Sequence, residues 1–189
     1  MKNFIIFASF LMMTFANAQV AIGKNNVTNS SVSLEFGNYA APHGKGIIVP
    51  WVNSSGSTSS SEKGTIVFDT NDKIVKYKKA DGTWFNLTRN EILTVEGTPN
   101  FDTTGVVDTT LQNSLNDAAS AKTSIGIPPS GTDTPGILVL EDTNKSMILP
   151  KVASPHLNII NPEPGTLVYD TDSKQLAVFN GKVWTFWKP

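Results

Sequence analysis

The chain has 189 residues, a formal net charge of −1, 16% charged residues and no cysteine. It therefore has no disulfide, no thiolate chemistry and no cysteine metal site, and its near-neutral balance argues against nucleic acid or an anionic membrane surface as a partner. Abundant Thr, Ser, Asn, Val and Ile, with 14 Gly and 11 Pro, point to short strands and many turns.

Residues 1–18 read as a signal peptide. Lys2 is a positive n-region, Phe4 to Phe15 is an apolar stretch too short to span a membrane, and Ala16-Asn17-Ala18 is a small-residue cleavage site. The mature chain is then expected to begin at Gln19 outside the cytoplasm, in the periplasm, at the cell surface or in the medium. No second long apolar run follows, so no membrane-spanning helix is expected.

A first β unit is assigned to residues 19–88. Leu34-Glu35 leads to an arm, Lys45-Gly46-Ile47-Ile48-Val49-Pro50-Trp51-Val52, and then to a polar loop. The strand Gly64-Thr65-Ile66-Val67-Phe68-Asp69-Thr70 alternates its faces with period two, as a half-buried strand does. Asp69, Thr70, Asn71 and Asp72 form a turn, since Asp and Asn side chains bond their own downstream amides. A strand from Ile74, the turn residues Asp81-Gly82 and a strand holding Trp84 complete the unit.

Residues 89–135 read as a linker with one short helix, about 109–126. Leu111, Leu115, Ala118, Lys122 and Ile125 recur at spacings of four and three, an a/d-type seam, with Asp108 or a neighbouring Thr as cap and Pro128-Pro129 as stop. The seam could pack on its own domain or join copies of the chain.

A second β unit, residues 136–189, repeats the first. Leu140-Glu141 leads to Lys145-Ser146-Met147-Ile148-Leu149-Pro150-Lys151-Val152. Gly165-Thr166-Leu167-Val168-Tyr169-Asp170-Thr171 follows, then a strand at Gln175 to Phe179, the turn Asn180-Gly181 and Trp184. Asn180-Gly181 predicts a type I′ hairpin turn, with positive φ at both central residues. The expected fold is mainly β: two related antiparallel meander units joined by the linker.

These motifs resemble a repeat of secreted Bacteroidetes proteins of tail-fibre-like and adhesin-like type. There the pattern runs through a leucine-acid pair, a K-G-hydrophobic-P arm, a G-hydrophobic-V-Y-x-T strand and an N-G-x-x-W hairpin. The second unit fits it closely. The first has Trp51 in place of the basic residue after the proline. The resemblance implies a structural or adhesive role and brings no active site with it.

Trp51, without an aromatic counterpart in the second unit, is the candidate ligand-binding residue, because a flat aromatic face can stack on a sugar. Trp84 and Trp184 occupy matching places and read as core anchors. Thr103 and Thr109 lie in Asp-Thr-Thr triplets that resemble O-glycosylation acceptors. His43 and His156 read as surface loop residues. Asp69, Asp72, Asp170 and Asp172 read as turn caps and not as calcium ligands, because no Gly and bidentate Glu follow them. No metal, cofactor or catalytic residue is assigned. The function expected is an exported structural or adhesive, fibre-like interaction protein without catalysis, its partner being itself as a homotrimer or a surface glycan or protein. A glycan-binding module is the second reading and a carbohydrate hydrolase the third.

Overall fold

The structure is a computed structural model. It describes residues 19–39, 43–58, 60–88, 91–93, 99–101, 105–114, 118, 121–126 and 134–188. The expected signal peptide lies outside the described residues. No helix among the described residues is long and apolar enough to cross a membrane.

The chain is mainly β. The first part holds β1 (Val20–Ile22), β2 (Val32–Phe36), β3 (Ile47–Ile48), β4 (Trp51–Val52), β5 (Ile66–Asp69), β6 (Ile74–Lys78) and β7 (Trp84–Asn86). Between the units lie β8 (Glu91–Leu93), β9 (Pro99–Phe101), α1 (Thr110–Asn113) and β10 (Thr123–Ile125). Then come β11 (Leu138–Leu140), β12 (Ser146–Ile148), β13 (Lys151–Val152), α2 (Pro155–Asn158), β14 (Thr166–Asp170), β15 (Gln175–Phe179) and β16 (Trp184–Trp187).

The repeat is visible in the registers. β5 and β6 pair antiparallel with Val67 opposite Lys76, and β14 and β15 do so with Val168 opposite Ala177. Each arm bends at its proline, and the prolyl carbonyl accepts from the next strand: Phe68 N–H bonds Pro50 O at 2.8 Å and Tyr169 N–H bonds Pro150 O at 2.9 Å. Lys73 and Lys174 close the Asp turns with φ of 60° and 55°, in the left-handed region.

Three expectations are corrected. The units are not simply two antiparallel meanders. The strands after the prolines, β4 and β13, join β5 and β14 in parallel, and β1/β2, β2/β12 and β10/β11 are parallel as well. The result is a mixed, β-solenoid-like arrangement. The helix expected over about 109–126 is also not formed at that length: α1 ends at Asn113, and Thr123–Ile125 is strand β10. A single helical turn gains little against its nucleation cost, whereas pairing with β11 satisfies the β10 backbone and buries Ile125. Leu115 lies outside the described residues. Finally, only Gly181 of the Asn180-Gly181 turn has positive φ, at 94°. Asn180 instead accepts at Oδ1 from Lys182 N–H (2.9 Å) and Val183 N–H (2.8 Å), so side-chain capping replaces the second left-handed residue.

The main core draws on both units. Val49, Phe68 and Val75 of the first pack with Leu167 and Val178 of the second, flanked by Trp51, Ile66, Leu87, Leu149 and Leu176. Full burial of each such side chain contributes about 1.5–3 kcal/mol, so neither unit keeps this core alone. A second cluster of Val152, Val168 and Ala177 carries Ile159 and Trp184.

Candidate functional site

The most elaborated place in the molecule is the seam between the two units. Arm strand β3 of the first unit lies antiparallel on β14 of the second, with Ile48 opposite Thr166 and Ile47 opposite Leu167. Val49 N–H donates to Gly165 O at 3.2 Å. The approach is close enough to require glycine at 46: a Cβ there would lie 2.5 Å from Thr166 Cγ2 and 2.8 Å from Val168 Cγ1. In the other sheet, β2 of the first unit takes arm strand β12 of the second in parallel, with Met147 opposite Leu34 and Ile148 opposite Glu35. Ser146 N–H donates to Ser31 O at 2.8 Å, and Ser33 Oγ donates to Ser146 O at 3.3 Å.

Trp51 sits in this seam. Its indole N–H donates to Pro164 O at 2.8 Å, and its ring packs on Phe68 with centroids 6.0 Å apart. The structure thus gives the candidate ligand residue a packing role between the units. Trp184 also packs in the core, against the Val152 cluster and 5.5 Å from the Phe179 ring. Trp84 is half-buried under the Lys78 ammonium, 5.4 Å from the ring centroid.

Buried charges brace the loops beside the seam. Asp69 accepts at Oδ1 from the N–H groups of Asn71 and Asp72, both at 3.1 Å, and at Oδ2 from Ser55 N–H at 2.8 Å and Lys76 Nζ at 2.9 Å. Lys76 also bonds Asp72 and Ser55. Burial alone would raise the Asp69 carboxyl, but the Lys76 bond and the backbone donors outweigh it and hold the group below its ordinary range. The same opposition acts on Lys76: burial lowers it, while the bonds to Asp72 and Asp69 raise it further. The second unit keeps the aspartate without the lysine. Asp170 accepts from Ser154 N–H (3.1 Å) and Asp172 N–H (3.0 Å), and Ala177 stands where Lys76 does. These aspartates therefore cap turns and tie down the loop after each arm.

Glu35 on β2 is a second staple. It accepts from Lys24 Nζ at 2.6 Å, Thr28 N–H at 2.6 Å and Thr28 Oγ1 at 2.7 Å, closing the loop between β1 and β2. The Lys24 bond and then the Thr28 hydroxyl bond pull its carboxyl down to about 2. A carboxyl lowered on folding stabilises above its unfolded value and stops doing so as pH falls through the folded one. The wild-type denaturation midpoint is therefore expected to drop between about pH 4.5 and 2, and Glu35→Gln should flatten that part of the pH profile while lowering stability at pH 7. A Gln variant with the unaltered acid limb would remove Glu35 from the account.

The other candidates are dispersed. Thr109 is half-buried; its Oγ1 accepts from Asn113 Nδ2 at 3.1 Å. Thr103 lies outside the described residues. Asp108 caps α1, accepting from Thr110 N–H (2.9 Å) and Oγ1 (2.6 Å), and the hydroxyl and backbone bonds lower its carboxyl. His43 is exposed, and His156 on α2 meets the Phe186 ring edge-on at 6.0 Å. Among the described residues no three His, Asp or Glu side chains converge as metal ligands would. A small depression lined by Tyr39, Gly44, Val152, Ala153 and Asn158 has a cavity volume of about 40 Å³. Small-molecule sites usually need about 300–1,000 Å³.

The contacts of β2 with β12, of β3 with β14 and of Trp51 with Pro164 join the two units within one chain. Residues 126–188 match the family model described as the phage tail like trimerisation region. The match spans β11 to β16, the second unit with its leading strand. No curated protein and no solved structure matches the chain. The match agrees with a tail-fibre-like repeat and with a fibre-like structural protein.

Sequence reading missed one feature of the repeat. Each unit is preceded or headed by a parallel pair, β1/β2 or β10/β11, whose first strand ends at an Ile that Gly follows: Ile22-Gly23 and Ile125-Gly126. The glycines have φ of 74° and 113°. The recurring Ile-Gly dipeptide ahead of each Leu-Glu pair was the available signal.

Proposed function

We propose that this chain is an exported, fibre-like structural protein that assembles as a homotrimer through its second repeat unit and acts by assembly, not catalysis. The match of residues 126–188 to a trimerisation region carries this reading. Two features support it. The β-rich chain spends its close-packing residues on joining repeat units, and residues 1–18 have the charge, apolar run and small-residue site of a signal peptide. The resemblance of the repeat to those of secreted Bacteroidetes fibre-like and adhesin-like proteins points the same way.

Light scattering on the chain beginning at Gln19 tests the reading. A mass three times that of the single chain, unchanged over a tenfold dilution, is the expected result. A monomer at the highest concentration reached would overturn it.

A further inference from the structure

The linker touches both units at one point. Gly105 packs against each of them: a Cβ there would lie 2.8 Å from Lys73 Cβ in the first unit, and 2.6 Å from Asn180 O and 3.2 Å from Asn180 Cγ in the second. Next to it, the Val106 carbonyl rests on Gly181, where a Cβ would meet its oxygen at 1.8 Å and Pro164 Cγ at 3.0 Å. Val107 then packs, half-buried, on the core shared by the units. The corresponding turn of the first unit, Asp81-Gly82, has no such cover. A Cβ on Gly82 would meet nothing within 4 Å, and the Asp81 side chain is 58% exposed.

Asn180-Gly181 is the one Asn-Gly dipeptide of the chain. Asparagine before glycine is chemically labile, because glycine puts no side chain beside the attacking nitrogen. The Gly181 amide nitrogen bonds to Asn180 Cγ, and Nδ2 leaves as ammonia, taking up the proton that the amide gives up. The succinimide ring so formed adds one water and opens to aspartate or isoaspartate. No other reactant is needed.

We propose that Asn180-Gly181 is a latent deamidation site, held closed by the linker residues Gly105 and Val106. Ring closure requires the peptide plane between residues 180 and 181 to turn until its nitrogen faces Asn180 Cγ. That plane carries the Asn180 carbonyl oxygen at one end and the Gly181 Cα at the other. Gly105 is packed on the first and the Val106 carbonyl on the second, so the plane is held while the linker is seated. The carbon under attack is fixed as well. Asn180 is 7% exposed, and its Oδ1 is bonded by Lys182 N–H at 2.9 Å and Val183 N–H at 2.8 Å. Its own N–H donates to Val183 O at 3.1 Å. Attack therefore waits for a local opening that lifts the linker and frees the side chain.

The product does not fit the turn. Isoaspartate routes the main chain through the former side chain, which removes the acceptor that caps Lys182 and Val183. The β15–β16 hairpin, with Trp184 on its second strand, cannot then close as before. The change is irreversible, so an opening at this point risks lasting damage. Gly105 and Val106 guard the second unit as well as connecting it to the first.

Ageing the chain that begins at Gln19 at mildly alkaline pH, with peptide mapping for aspartate and isoaspartate at position 180, tests the proposal. The folded protein should convert about tenfold more slowly than the same protein in urea, a factor that two hydrogen bonds of ordinary net strength supply. Gly105→Ala forces the linker off the Asn180 carbonyl, and Val107→Ala removes its anchor in the core. Each should raise the folded-state rate severalfold. Wild type that converts as fast folded as in urea overturns the latent site. Variants that are folded by their urea transitions and convert as slowly as wild type overturn the linker as its guard. Should Gly105→Ala fail to fold, Val107→Ala decides the second point by itself.

Discussion

Asp69→Ala is expected to lower stability by about 3–5 kcal/mol, the range for removing one partner of a buried ion pair. The carboxylate is 1% exposed and gathers four donors from three places: the turn amides of Asn71 and Asp72, the Ser55 amide of the loop after the arm, and the Lys76 ammonium. Alanine leaves those amides without their acceptor and Lys76 with only the half-exposed Asp72 as a counter-charge. The second unit is a natural control for the other partner. There Ala177 replaces the lysine and Asp170 keeps two backbone donors. Lys76→Ala should therefore cost less, about 1–2 kcal/mol, because it converts the first unit to the arrangement of the second. Urea denaturation of both variants decides the matter. Equal losses, or an Asp69→Ala loss under about 1 kcal/mol, would show that the cluster does not hold the loop.

Trp51→Ala is expected to cost about 3 kcal/mol, the low end for truncating a packed aromatic. The indole lies between the units, packs on the fully buried Phe68 and caps the Pro164 carbonyl. Its loss opens the shared core of Val49, Phe68, Val75, Leu167 and Val178 at one edge and leaves that carbonyl unpaired. Trp187, 37% exposed on the last strand, should cost under about 1 kcal/mol when replaced by alanine. Melting curves for the two variants compare them directly. Equal small losses would return Trp51 to the surface and remove the packing role that its contacts indicate.

Much of each unit was legible in the residues alone. Val67 and Val168 face one side of their strands and their neighbours the other. Asp69 and Asp170 stand where a turn needs an acceptor, and Gly82 and Gly181 where it needs positive φ. These signals act within a dozen residues, through the period-two alternation of a strand and the short reach of an aspartate to its own backbone. The partnership of the units was not legible. Ser33 meets Ser146, and Trp51 meets Pro164, each across 113 residues. A strand pattern states which face is apolar and says nothing of which edge another strand will take. Trp51 therefore looked like an unexplained surface aromatic until Pro164 and Phe68 came to its sides. The spacing of Leu111, Ala118 and Ile125 suits a helix, but Ile125 is drawn into a strand because β11 supplies backbone partners that an isolated turn of helix could not replace. Local chemistry set the elements and their turns; the hydrogen bonds and buried area available only after distant segments met set their partners.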